Sequence, residues 1–573
     1  MDAAARQLLE VASIEGKRFH PRIVALALQI DGDDVELAFQ ELERRHGIIR
    51  RVISPRSASQ RLEYAFTHGI FRDGVSAQIP EGRRQGLCRR VAEAVVAVFT
   101  EHRTVEAHQI ACLFEEGGQA EKAAEYFLIA AERSIHGFDD YCGIESASRA
   151  LRLLLEHTPE SVERNRTELR LQVILGILVS ATSGFSAPSV RDAYIRAEAL
   201  CGALGERELL LPSLWGRWVF HLVRAEMAVA LERAECMVTI AMATDDAEEL
   251  AEAYSSLGLT LLFQGKLEAS KEAFKNGLNA HGRMTRLPQS MLGRLDPKVT
   301  CLSLSARAAH QTGLWNEAIQ FGREAVEQGI KRDSPYSIAF AQMFISYTHY
   351  LRGEMREAYS VGIKAIELGE AHGLRQVVAW AAISAQRAAG NEEGRRAESI
   401  GQVRAVLAEL EQVDAKICCP QFIAMLSELM LLNKDGEAAL REVERGIAMS
   451  ESTGNCDYLA ELLRLKGQAL LTISATPVSR AHSAEVFSQA AAVAHGQGAR
   501  AQELRILSSI VAVEAGSERD VQCREALRLL LSNTAPDGNV GDTKLAGDIL
   551  ATSPGRSSSA AAFDWWQRLL LRQ

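Results

Sequence analysis

From about residue 105 to residue 532, apolar side chains return every three to four positions, break at a glycine-containing turn, and resume in a second segment rich in alanine. That period belongs to a helix with one buried stripe, so the pattern predicts antiparallel helix pairs joined by tight turns. The clearest copy runs from Tyr254 through Leu257, Gly258, Leu261, Leu262 and Phe263 to Gly265, then Ala269, Ala273, Phe274 and Gly277.

This order of an aromatic, Leu-Gly, an apolar residue and then small, Phe and small positions resembles the tetratricopeptide repeat. Small residues let two helices approach closely, and the phenylalanine fills the gap between neighbouring pairs. Weaker copies run from Leu302 through Gly313 to Ala325, and from Gln342 through Gly353 to Ala365. Further pairs are expected at 376–411, 420–449, 457–495 and 499–531, two longer ones within 163–243, and one marked by Gly118, Ala124, Phe127 and Ala130. The turn glycines Gly265, Gly313 and Gly353 are 48 and 40 apart, against about 34 in the standard repeat, which implies longer helices or linkers. A generic helical bundle would share the periodicity but not the recurring order of signals. Pro188, Pro212, Pro297, Pro335 and Pro477 are expected at helix junctions, several behind a capping Ser, Thr or Asp.

Residues 1–100 follow another pattern. Three short helical segments, Ala4 to Ala12, Pro21 to Gln29 and Asp33 to Arg45, precede two strand-like stretches, Gly47 to Ile53 and Leu62 to Phe66. Three helices and a two-stranded ribbon make a winged helix, with a connecting helix at Arg83 to Phe99. The expected fold class is therefore all-α: a tetratricopeptide-like α-solenoid over 101–532 with an N-terminal winged-helix segment over 1–100. Residues 533–573 read as a flexible tail ending in a short apolar helix at Phe563 to Leu571, where Trp565 and Trp566 offer a self-association point.

Composition supports long helices: the chain of 573 residues has 13 prolines, 42 glycines, 47% apolar and 24% charged residues. No apolar run approaches the ~18 residues of a membrane span, and the N-terminus lacks a signal-peptide pattern, so a cytoplasmic location is expected. The ten cysteines are scattered apart from Cys418-Cys419, which predicts reduced, mostly buried thiols and neither disulfides nor metal. The net charge of −10 is uneven. Residues 1–110 hold 16 Lys and Arg against 15 Asp and Glu, and the remainder 48 against 59, which disfavours nucleic acid along the bulk of the chain.

Leu8 to Phe19, Tyr64 to Asp73 and Arg83 to Ala92 resemble the segment that follows the ATPase core in bacterial signal-transduction ATPases with numerous domains (the STAND class). Leu169 to Leu175, Ser183-Gly184-Phe185 with Pro188, Trp215 to Glu226 and Glu461 to Leu471 resemble the repeat region of the same proteins, often fused to adenylate cyclase or DNA-binding modules. The resemblance implies a sensor or regulatory arm, with the nucleotide-binding core upstream in the family. No G-x-x-x-x-G-K-[ST] occurs here; Gln264-Gly265-Lys266-Leu267 is the nearest fragment. Neither H-E-x-x-H, G-x-S-x-G nor a G-x-G-x-x-G after a strand occurs. The reading is a non-enzyme with no catalytic residue, metal or cofactor.

Three groups are candidate contacts. Trp215, Arg217, Trp218 and Arg224, with His221, fall on one expected helix, as a platform for a ligand or as core between repeats. His68 stands between a strand and a helix, where the family resemblance implies a phosphate-sensing role; alternatively it packs locally while Thr67 caps the helix. Arg44, Arg45, Arg50, Arg51, Arg56 and Arg61 cluster on the third helix and wing, with Arg50 and Arg51 the candidate DNA contacts, interrupted by Glu41, Glu43 and Glu63.

The expected function is binding. Stacked pairs form a concave surface for a peptide, a partner domain or a small effector, and an N-terminal lever passes occupancy to an ATPase or cyclase domain on another chain or in a longer parent. The alternatives are a DNA-binding regulator acting through the winged helix, or a subunit of an ATPase or cyclase assembled in trans.

Overall fold

The computed structural model describes residues 3–53, 62–98, 107–137, 139–285, 295–514, 516–532 and 541–551. The chain divides into two compact units, residues 1–178 and 179–573.

The first unit opens with α1 (Ala3–Glu15), β1 (Arg18–Phe19), α2 (Pro21–Leu28), α3 (Gly32–His46), β2 (Ile49–Ile53) and β3 (Leu62–Phe66). The three strands form an antiparallel sheet in the order β1-β3-β2, with Phe19 opposite Tyr64 and Arg50 opposite Ala65. β1 escaped sequence analysis because two residues display no period. It forms because Phe19 is drawn into a knot of rings, 5.2 Å from Phe39 and 5.2 Å from Phe66 between centroids, with Phe39 5.4 Å from Tyr64. Such pairs add to simple area burial. Helices α4 (Gly69–Ala77), α5 (Glu81–Val98), α6 (Ala107–Glu116), α7 (Ala120–Gly137), α8 (Asp140–His157) and α9 (Val162–Ser183) follow, with the unit boundary inside α9.

The second unit begins with α10 (Pro188–Leu204), then stacks pairs: α11 (Leu210–Val223) with α12 (Met227–Thr244), α13 (Ala247–Phe263) with α14 (Leu267–Gly282), α15 (Pro297–Gln311) with α16 (Trp315–Lys331), and α17 (Pro335–Arg352) with α18 (Met355–Ala371). The stack continues through α19 (Arg375–Ala389) with α20 (Arg396–Gln412), α21 (Cys419–Leu432) with α22 (Gly436–Thr453), α23 (Leu459–Ile473) with α24 (Pro477–Gln497), and α25 (Arg500–Val513) with α26 (Glu518–Ser532). It ends in α27 (Gly541–Ala551), which lies against α25 and α26. Each odd-numbered helix from α11 to α27 also packs on the next odd-numbered one. This is a tetratricopeptide-like α-solenoid.

The two helix sets have different jobs. Outer helices bury one narrow stripe of small residues: Ala318, Gly322, Ala325 and Gly329 on α16, and the same four types at Ala358, Gly362, Ala365 and Gly369 on α18. Inner helices are buried on nearly every side. All 14 residues of α21 are buried, as are 13 of the 15 in α15. The junctions follow local rules: Pro188, Pro297, Pro335 and Pro477 start their helices, and Asp296 and Ser334 accept from backbone amides two and three residues ahead. Pro212 falls in the first turn of α11. Turn glycines Gly265, Gly313 and Gly353 take φ of +74°, +84° and +84°, the left-handed region open to a residue without Cβ.

Solenoid pairs distant in sequence also meet. The Ile417 amide donates to the Val223 carbonyl at 3.0 Å, and the Cys456 and Asp457 amides donate to that of Phe263 at 2.9 and 3.2 Å. Ser186 Oγ donates to the Val413 carbonyl at 2.5 Å. The concave surface expected from the sequence is thereby folded into an interior, because the array winds tightly enough to cover its own inner face. α27 falls in the stretch read from sequence as a flexible tail. It is ordered by packing on α25, where Asp542 pairs with Arg505. Phe563 to Leu571 lie outside the described residues.

Two outcomes follow from this packing. A Cβ at Gly258 would come within 2.5 Å of the Phe274 ring, so Gly258→Ala lowers stability by about 1–3 kcal/mol through overpacking. Gly401→Ala on α20, with open space around it, stabilises by about 0.5–1 kcal/mol; urea unfolding of both variants checks the contrast. Glu252 on α13 is buried, and desolvation pushes its carboxyl up to about 8, with Glu248 and Asp296 adding to the rise. The folded chain holds this proton more tightly than the unfolded chain, where the value is 4.5. The contribution is complete below that value and lost as pH rises through about 8, at up to about 1.4 kcal/mol per pH unit. Glu252→Gln flattens that part of the stability profile; an unchanged slope contradicts the assignment.

Candidate functional site

Inner helices that are buried all round should be apolar all round, yet each carries a charged or amide side chain. Arg307 on α15 pairs with Asp457, which lies just before α23, and both are nearly fully buried. On α17, the Tyr350 hydroxyl donates to Glu428 Oε2 of α21 at 2.6 Å, and Arg387 Nε of α19 donates to the same oxygen at 2.7 Å. Arg464 on α23 pairs with Glu461 at 2.6 Å and stands 3.8 Å from Glu428. Arg505 on α25 reaches Glu461 at 3.4 Å and Asp542 of α27 at 2.7 Å. The Tyr347 ring is tilted against that of Tyr350, 5.8 Å between centroids, and its hydroxyl is hydrogen-bonded to that of Tyr458 beside Asp457. Together these groups form one polar column along the inner faces of α15 to α27: four guanidiniums against four carboxylates.

The electrostatics fit a column of ionised pairs. Burial pushes Glu461 up, but the Arg464 and Arg505 guanidiniums outweigh it and hold the carboxyl below its ordinary value. Burial raises Asp457 to about 6 against the downward pull of Arg307, which leaves it ionised at neutral pH. Arg307 and Arg505 are held above their ordinary values by these carboxylates despite their own desolvation. Buried amides accompany the ions on the same helices. Among the described residues, the carbonyl oxygens of Gln311, Gln421 and Gln502 have no hydrogen-bond partner, and neither amide atom of Gln468 is matched. A buried polar atom without a partner is costly, and among the described residues these amides place several such atoms on the inner helices.

The residues singled out from sequence fall elsewhere. Trp218 is buried against the core of the second unit and its indole donates to Thr260 Oγ1 at 2.9 Å. Trp215 is half-buried, 5.9 Å from the Phe185 ring. Arg217 pairs with Glu198, shared with Arg233. Arg224 binds Glu226 and, through Nη1, Asp414 at 2.7 Å, tying the end of α11 to the turn after α20. His221 Nδ1 lies 2.5 Å from Glu226, an arrangement repeated by His349, Arg352 and Glu354.

His68 is exposed at the start of α4, makes no side-chain cap, and lies 6.1 Å from the Phe71 ring. Thr67 does not cap α4; its hydroxyl donates to the Gly47 and Ile48 carbonyls at 2.9 Å. Arg50 and Arg51 are exposed on β2, with Glu43 accepting from the Arg51 amide and Glu41 pairing with Arg45. Arg56 and Arg61 lie outside the described residues. Among the described residues no group of three or more His, Cys, Asp or Glu side chains is arranged to hold a metal, and no helix is long and apolar enough to cross a membrane.

Sequence analysis missed the column, although a signal was present. Arginines interrupt runs of small or apolar residues at Ala306-Arg307-Ala308-Ala309, Gln386-Arg387-Ala388-Ala389 and Leu504-Arg505-Ile506-Leu507.

No family model and no curated protein matches the chain. Solved structures similar to it include a Rap protein complexed with competence and sporulation factor, at 14% identity and a TM-score of 0.47, covering 65% of this chain and 99% of that one. Another is the signal transduction ATPase with numerous domains and a tetratricopeptide repeat sensor from Pyrococcus horikoshii, at 10% identity and 0.42, covering 79% of this chain and 63% of that one. Yeast Tom70 is a third, at 11% identity and 0.29, covering 81% and 99%. The superpositions are loose, and the solenoid rests on the packing described above.

The pairing predicts strong coupling. Arg387→Met leaves Glu428 short of a partner and destabilises by about 3–5 kcal/mol. Adding Glu428→Met to it costs far less than the sum of the two single changes, as measured by a double-mutant cycle in urea. Additive losses contradict the column.

Proposed function

We propose that the second unit is a binding superhelix for an extended peptide segment, taken up along its inner face, and that the protein has no catalysis of its own. The observation that carries this is the buried column lined by unmatched amides. Gln and Asn side chains offer a donor and an acceptor at fixed separation, which suits the repeating N–H and C=O groups of an extended backbone. The four guanidiniums and four carboxylates supply charge contacts of both signs that are matched internally until a ligand competes for them.

In this reading residues 1–100 are a winged-helix lever, and the chain is the sensor arm of a signalling system whose effector domain lies on another chain or elsewhere in a longer protein. Ligand uptake parts the contacts between distant pairs, such as Arg224 with Asp414, and the change in winding is the signal. Domains at 1–100 and 101–532 are kept for this scheme, and α27, which falls within the expected tail at 533–573, is assigned to the binding unit. A cytoplasmic setting and a bacterial source belong to the same proposal.

Selection of displayed random peptides against the full chain tests it. Binders are expected, and Gln468→Leu weakens them by about tenfold or more while leaving the fold intact, since both amide atoms of Gln468 are unmatched. Failure to enrich any peptide, or binding indifferent to both Gln468→Leu and Gln421→Leu, overturns the proposal.

A further inference from the structure

Arg307 occupies an unusual setting within the column. Its guanidinium carbon lies 4.8 Å from the centre of the Phe263 ring, 5.6 Å from Tyr347 and 5.8 Å from Tyr458. Its Nη2 pairs with the Asp457 carboxylate, while its Nε has no hydrogen-bond partner among the described residues. The walls come from three separate places: the end of α13, the middle of α17 and the residues before α23. The Asp457 main chain is fixed at both ends, its amide donating to the Phe263 carbonyl at 3.2 Å and its carbonyl accepting from Gln502 Nε2 at 3.1 Å. The Tyr347 and Tyr458 hydroxyls are hydrogen-bonded to each other, which holds those two rings together.

Three rings and a carboxylate form a cage suited to a flat cation. Arginine is weakly hydrated, stacks on ring faces and meets a carboxylate with parallel N–H groups, whereas an ammonium is a compact, strongly hydrated charge. A structural ion pair needs only the carboxylate; the rings add selectivity for a delocalised cation. Arg307 enters the cage from α15 on its own flexible side chain, so a change of rotamer withdraws its guanidinium while the Asp457–Phe263 and Tyr347–Tyr458 hydrogen bonds keep the cage formed.

We infer that Phe263, Tyr347, Asp457 and Tyr458 are a receptor for a guanidinium group, filled by Arg307 in the free chain and by an arginine side chain of the bound segment in the complex. This rests on the proposed peptide-binding function and adds the chemistry that selects the ligand. Because Arg307 is tethered beside the cage, a ligand must compete with a high effective concentration. A lone arginine is therefore excluded, and a segment that also engages the amides of the column is admitted.

Two experiments test the inference. In Arg307→Ala the cage has lost its occupant. Ethylguanidinium at millimolar concentration is expected to raise the melting temperature of this variant by several degrees, and ethylammonium much less. Neither raises that of the wild type or of Arg307→Ala with Asp457→Asn. Equal effects of the two cations, or no effect on a folded Arg307→Ala chain, overturn the receptor. Should Arg307→Ala fail to fold, the peptides selected on the wild-type chain decide. They are expected to carry an arginine whose replacement by alanine weakens binding at least about tenfold. Selected peptides with no arginine dependence overturn the inference and leave the peptide-binding reading standing; failure to select any peptide removes both.

Discussion

A charged side chain taken out of water must find an opposite charge or its cost becomes prohibitive. Of the four arginines on the inner helices of the second unit, Arg464 meets this condition within its own helix and Arg387 and Arg505 meet it on a neighbouring inner helix, but Arg307 meets it only if the array winds far enough to bring Asp457 to it. Arg307 reaches Asp457 across 150 positions of sequence, and Arg387 reaches Glu428 across 41. Pairing of this kind contributes little net stability compared with a well-packed apolar core. It does oppose alternative windings, since any other pitch strands a buried charge. The column thus sets the curvature, and the apolar packing around it supplies most of the stability.

The division of labour between the helix sets follows. Outer helices need only approach the inner ones closely, so they present alanine and glycine at Ala318, Gly322, Ala325 and Gly329 and again one repeat later. Inner helices contact outer partners, neighbouring inner helices and each other across the axis, which leaves no face for solvent. Polar residues within them are therefore few and placed at particular positions, and Gln421 and Gln468 are among those with side-chain atoms left unmatched among the described residues.

Much of this architecture was legible in the sequence. Gly258 and Phe274 were read as a close crossing and its filler, and they are in contact distance of one another; Gly265, Gly313 and Gly353 were read as turns and take positive φ. Both signals are local and need only neighbouring residues. The candidate site was not legible, because all of its pairs except Arg464 with Glu461 join residues separated by dozens of positions or more, and no period reveals which arginine meets which carboxylate. Exposed-looking tryptophans drew attention instead, although Trp218 is covered by α13 and hydrogen-bonded there. The winding was missed for the same reason: a groove and a closed interior have the same repeat pattern, and only the charges on the inner faces distinguish them.

The closed inner face is tested most directly with the chain's own thiols. Cys418 lies beside Arg307 and Asp457, is 3% exposed, and is pushed well above its ordinary value by burial, whereas Cys236 on α12 is exposed. Alkylation of the folded protein, read residue by residue, is predicted to modify Cys236 rapidly and to reach Cys418 only as fast as the unit opens. Modification of both at similar rates under native conditions would mean that the inner face is open to solvent, and would contradict the column on which the account depends.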